Sequence, residues 1–127
     1  MMMSMQKMDA PTLKTAGHQA SPGSCRCSLR PSYSWESFTE DRWPHEQMRA
    51  LGTLRNPDVH EPTTVEHHPQ GTRYASPDAP VAIDFFPYNI SNVHACRTCC
   101  KTLLRYTEFG GYYVDHRVKE LDPALVV

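Results

Sequence analysis

The sequence predicts an α+β, mainly β domain: a short helix followed by a small antiparallel sheet that ends in a β-hairpin. Three observations carry that expectation. Eleven prolines in 127 residues rule out long helices and a continuous coiled coil. Period-two alternation returns in the last third of the chain, where Tyr112, Val114, His116 and Val118 share one face. The pair Gly110-Gly111 sits between two strand-like runs, supplying the positive-φ positions that a tight hairpin requires.

Taken in order, residues 1–32 read as a disordered or extended tail and residues 33–127 as a single small domain. The first 34 residues hold five of the six methionines, many Ser, Thr, Gly and Pro, and little to bury. Their charge is +3, which leaves −4 on the rest. The domain opens near Tyr33 and Trp35. Residues 44–52 are expected to form the short helix, with Pro44 in its first turn and Gly52 at its stop, Met48 and Leu51 facing the core. Residues 63–67 and 72–75 read as strands joined through Pro69-Gln70-Gly71. The most apolar stretch, residues 81–86, is the expected central strand, ended by Pro87.

The hairpin spans residues 93–119. A two-residue turn pairs Phe109 with Tyr112, and a three-residue loop pairs Arg105 with Asp115. Either register puts Tyr113, Asp115, Arg117 and Lys119 on the outward, polar face. Trp35, Phe38 and Trp43 read as a cap on the sheet in preference to a docking site.

Composition excludes whole classes of function. A formal charge of −1 excludes a strongly basic nucleic-acid binder, and no apolar run approaches the ~18 residues of a membrane span. The nucleotide-binding glycine loops, the zinc-protease helix motif and the nucleophile elbow are all missing, so the reading is that the protein is not an enzyme. The five cysteines fall in two tight clusters, Cys25 and Cys27, then Cys96, Cys99 and Cys100. An odd, clustered set with no apolar leader indicates a cytoplasmic protein whose thiols are reduced or metal-bound.

Cys96-Arg97-Thr98-Cys99-Cys100-Lys101 is the one constellation with chemical character. A C-x-x-C turn lets two thiolates reach one tetrahedral zinc. Entered through Val93-His94-Ala95 and left through Leu103-Leu104, the segment resembles a zinc knuckle, half of a zinc ribbon. Knuckles commonly place Gly after the second Cys, where the backbone takes a positive φ. Cys100 stands there, so either the turn differs or Cys100 tolerates strain. The run from Leu104 to Asp115, with Cys96 and Cys99 ahead of it, is also similar to the ends of uncharacterised small bacterial proteins, a resemblance that implies no activity.

Such a site needs two more ligands. The candidates are His67 and His68 at the Pro69 turn, and His94, two residues before Cys96 on the same strand face. Cys25-Arg26-Cys27 is a further source. His116 is discounted, because its place in the returning strand lies about 16–20 Å beyond Cys99. Thiol redox chemistry needs a helix after the motif, and the β-branched and aromatic run argues against one.

The preferred reading is a non-enzymatic cytoplasmic accessory protein with Cys96 and Cys99 binding structural zinc. The alternative is a metal-free protein-interaction module of inhibitor or immunity type, using its tyrosine-rich sheet on an unidentified protein partner. Nucleic acid is a weaker option, resting on a net +2 over residues 93–120 and on Tyr106, Tyr112 and Tyr113 as stacking surfaces. No membrane role is expected.

Overall fold

The computed structural model describes residues 6–19, 33–109, 112 and 114–127. It holds one helix, α1 (Ala10–His18), and five strands: β1 (Glu36–Phe38), β2 (Met48–Thr53), β3 (Asn92–Cys96), β4 (Thr102–Phe109) and β5 (Val114–Glu120). The strands form one antiparallel sheet in the order β1-β5-β4-β3-β2. The α+β, mainly β class is therefore observed.

The helix lies where the sequence suggested a tail. Asp9 caps it, its carboxylate accepting from the Thr12 N–H at 2.8 Å, and Pro11 occupies the first turn where a missing N–H costs nothing. Leu13 is fully buried, and Gly17 lets α1 approach the chain end so closely that an added Cβ would meet Pro123 Cβ at 2.9 Å. The expectation of a tail is thus corrected for residues 6–19. The rest of residues 1–32 lies outside the described residues.

The expected helix over residues 44–52 is a turn followed by the edge strand β2. Gly52 is not a helix stop. It clears the path of the N-terminal segment, since a Cβ there would meet Gln6 O at 2.5 Å. Gln6 accepts from Thr53 N–H at 2.9 Å, and Met8 N–H donates to Thr53 O at 2.8 Å, forming a parallel bridge along β2. The strands expected at 63–67, 72–75 and 81–86 are also corrected. These residues join no ladder beyond a single bridge from Val81 to Val126. Part of this stretch instead covers the sheet irregularly: Val81 and Ala82 are buried, and Tyr74, Ile83 and Phe86 pack against the core, while Val65 is exposed.

In the hairpin, Phe109 pairs with Val114 and Arg105 with Val118. Four residues separate the strands, so neither expected register holds; Gly110, Gly111 and Tyr113 lie outside the described residues. Nor is there a polar outward face at its base. One face of the sheet packs Trp35, Val93, Leu104 and Tyr106 against Leu13, Leu54, Tyr88 and Leu121. The other carries a smaller cluster of Phe38, Trp43, Met48, Cys96, Cys99, Leu103 and Val118. Trp35 and the Phe38–Trp43 pair thus serve opposite faces.

Lys119 is the clearest departure from alternation. It points into the larger core, 1% exposed, with its ammonium donating to Tyr88 Oη at 2.9 Å and lying 5.5 Å above the Trp35 ring. Burial pushes its pKa down to about 8.

Candidate functional site

The cysteine turn joins β3 to β4. Cys96 N–H donates to Lys101 O at 2.9 Å and closes the ladder; Cys100 N–H donates to Cys96 O at 2.9 Å and closes the loop. A four-residue loop with this bonding needs one left-handed residue before the second strand. That residue is Cys100, at φ 61°. The backbone conformation that knuckles reserve for glycine is therefore present, and Cys100 bears the strain, on the order of 1–2 kcal/mol.

Cys96 and Cys99 are both buried against Trp43, Met48, Leu103 and Val118. From the turn before β2, Gln47 holds the loop twice. Its carbonyl accepts from Arg97 N–H at 2.8 Å, and its side-chain amide donates to Cys96 Sγ at 3.2 Å and to Thr98 Oγ1 at 2.9 Å. No sequence signal marked Gln47, because register across β2 and β3, Met48 opposite Cys96, brings it there.

His94 shares the face of Cys96, as the alternation of β3 requires, and its ring meets Trp43 edge-on at 4.9 Å. Burial, with Arg105 second, pushes its pKa down to about 4, so it is a neutral imidazole at pH 7. His67 stacks on Phe85 at 4.8 Å in the irregular cover. His68 is held between Glu66 Oε1 at 2.8 Å and Thr72 Oγ1 at 2.7 Å. Among the described residues no three His, Cys, Asp or Glu side chains gather as a metal-holding group. The structure thus places Cys96 and Cys99 on one turn and does not bring His67, His68 or His94 to them as a set. Cys25 and Cys27 lie outside the described residues.

His116 pairs across from Thr107, eight residues past Cys99 and about 26 Å along the strand. Its ring sits 5.6 Å from Phe38, with Thr107 Oγ1 at 3.1 Å and Glu40 at 3.5 Å. Glu40 also pairs with Arg105, whose guanidinium covers Trp43 at 4.5 Å. The C-x-x-C motif lies in a turn between strands and not at a helix N-terminus, the setting that lowers a redox thiol's pKa. Tyr106 is buried beneath Tyr74, to which it hydrogen-bonds, whereas Tyr112 is fully exposed.

No protein-family model matches the chain, and no curated protein or solved structure is significantly similar to it. Among the described residues no helix is long and apolar enough to cross a membrane.

Proposed function

We propose that the chain is a non-enzymatic cytoplasmic accessory protein whose Cys96–Cys99 turn binds a structural zinc ion. The observation that carries the reading is the left-handed Cys100 behind two buried cysteines, with the Gln47 amide donating to Cys96 Sγ. A cysteine held at positive φ is an expense that a plain hairpin loop avoids with glycine. It is understandable where the loop must aim two sulfurs at one point. Zinc there would tie β3, β4 and the turn before β2 together beneath the smaller cluster, adding stability that a seven-residue core supplies poorly.

Cobalt(II) titration of the protein purified without chelator tests this. A thiolate-to-cobalt charge-transfer band that saturates near one equivalent and is displaced by zinc is the expected result. Cys96→Ser or Cys99→Ser should weaken the band, and an unchanged band in both would refute the assignment. Variants at His67, His68, His94, Cys25 and Cys27 then assign the remaining ligands.

The second reading is a metal-free interaction module. It is favoured by the end of the β4–β5 hairpin, where Phe109, Tyr112 and Val114 are exposed. The cobalt experiment separates the two.

A further inference from the structure

At the end of the sheet away from the cysteine turn, β3 begins at Asn92 opposite Arg105, while β4 runs on to Phe109. Beyond Arg105 no described strand pairs with β4 on that side. The direction of each backbone group follows from parity. Lys101 O faces β3, accepting from Cys96 N–H, and Thr102 O faces β5, accepting from Leu121 N–H. Backbone groups on an antiparallel strand alternate sides. Thr107 and Phe109 therefore direct their N–H and C=O away from β5, into a notch of about 630 Å³. That volume is in the range of ligand clefts and far exceeds what one ion or water fills.

The two sides of the notch differ chemically. Arg105 and His94 share one face of the sheet; Ile90 and Tyr106 line the notch from the other. Arg55 also lines it, its guanidinium bonded to the Asn56 and His60 carbonyls and to no carboxylate among the described residues. Among the described lining residues none is acidic. Phe109, 78% exposed, and its partner Val114, 54% exposed, lie at the hairpin end on the face of Arg105, because alternate residues of β4 share a face.

We propose that this notch takes an extended peptide segment of a partner protein, added to β4 as a sixth strand in line with β3, with acidic and apolar side chains alternating. The period-two alternation of a strand would place its carboxylates toward Arg105 and Arg55 and its apolar side chains toward Ile90 and Tyr106. Glu40 already pairs with Arg105, so the attraction falls mainly to Arg55, which makes no ion pair among the described residues although Glu61 and Asp84 line the neighbouring cleft with it. The notch lies at the opposite end of β4 from the cysteines, and the inference stands whether or not metal binds there.

The probes are two capped pentapeptides, Glu-Val-Glu-Val-Glu and Lys-Val-Lys-Val-Lys, added to the full chain. Amide hydrogen exchange is followed by NMR. The acidic peptide is expected to bind and to slow exchange at Thr107 and Phe109 at least tenfold, leaving Tyr106 and Glu108, which pair with β5, unchanged. Arg55→Glu should weaken binding at least tenfold with an otherwise unaltered amide spectrum. Phe109→Pro, which removes a notch-facing N–H and no β5 bond, should weaken it as well. Equal binding of the basic peptide, or binding without slowed exchange at Thr107 and Phe109, would overturn the proposal. So would protection that rises with protein concentration in the absence of peptide, which assigns the notch to a second copy, or protection by an oligothymidylate in place of the peptide.

Discussion

The two faces of the sheet are built by different means. The larger face buries Leu13 from α1, the irregular cover through Leu54, Val81 and Tyr88, and a ring cluster in which Trp35 meets Tyr106 at 4.9 Å and Tyr88 at 5.7 Å. The smaller face is closed by Phe38, Trp43 and the cysteine turn, with Arg105 spread over both rings. Among the described residues the first cluster has eleven buried members and the second seven, so on the proposed reading the second gains more from a metal holding Cys96 and Cys99. Each face also holds one base whose charged form burial disfavours, the fully buried Lys119 on the larger and the half-buried His94 on the smaller. Stability on the two faces should therefore answer to different perturbations.

The sharpest way to break the comparison is the double variant Cys96→Ser, Cys99→Ser. If zinc closes the smaller face, the loss is several kcal/mol, seen as a large drop in Tm and disordered amide signals in β2 and the turn. Next is Leu104→Ala on the larger face, where a fully buried side chain is truncated; urea unfolding should show a loss of about 2–5 kcal/mol. This variant should leave metal binding intact, whereas the cysteine variant abolishes it.

The pH dependence separates the faces again. Unfolded, the lysine keeps its proton to about pH 10.5, but in the fold only to about 8. The unfolded state binds more protons between those values, so this group makes stability rise with pH across that window. Below pH 8 its full cost stands, on the order of 3 kcal/mol. Lys119→Met, which keeps the packing, should be neutral or stabilising at pH 7 and should flatten the rise. His94 has the same sign lower down. Its folded value near 4 lies below the ordinary 6.5, so stability falls as pH drops from 6.5 to 4, by roughly 3 kcal/mol. His94→Phe should remove that acid limb, and equilibrium unfolding at pH 4, 7 and 10 checks both. The smallest effect is at the turn, where Cys100→Gly relieves the left-handed strain and should raise stability by about 1 kcal/mol or less, part of the gain being lost to unfolded-state entropy.

What was legible in the sequence was what local pattern controls. The β4–β5 hairpin announces itself through alternation, and the glycine-like demand at position 100 follows from the C-x-x-C turn. The register did not, because two glycines do not fix how many residues the loop spends. Helix α1 was hidden by a polar, methionine-rich segment whose buried residues, Met8, Leu13 and Gly17, are few and scattered; the Asp9–Pro11 cap was the readable clue. Pro44 and Gly52 imitated helix boundaries. In fact Gly52 serves a close approach of residues 6–8, a long-range contact that no local rule reports. Residues 81–86 are apolar because they cover the sheet, a burial that mimics a central strand. Lys119 reads as outward by charge and is inward because Trp35 and Tyr88 give its ammonium a hydroxyl and two ring faces. At the site, two of the expected ligands share a turn, while Gln47 arrives through the β2–β3 pairing.

The most direct test of the central claim is zinc content on untagged protein purified without chelator, measured beside a thermal melt with and without a strong chelator. Close to one zinc per chain, removed by chelator with a large fall in Tm and with Cys96 and Cys99 becoming alkylatable, is the predicted result. Metal-free protein whose Tm ignores both zinc and chelator would contradict it, and the smaller face would then be held by packing alone.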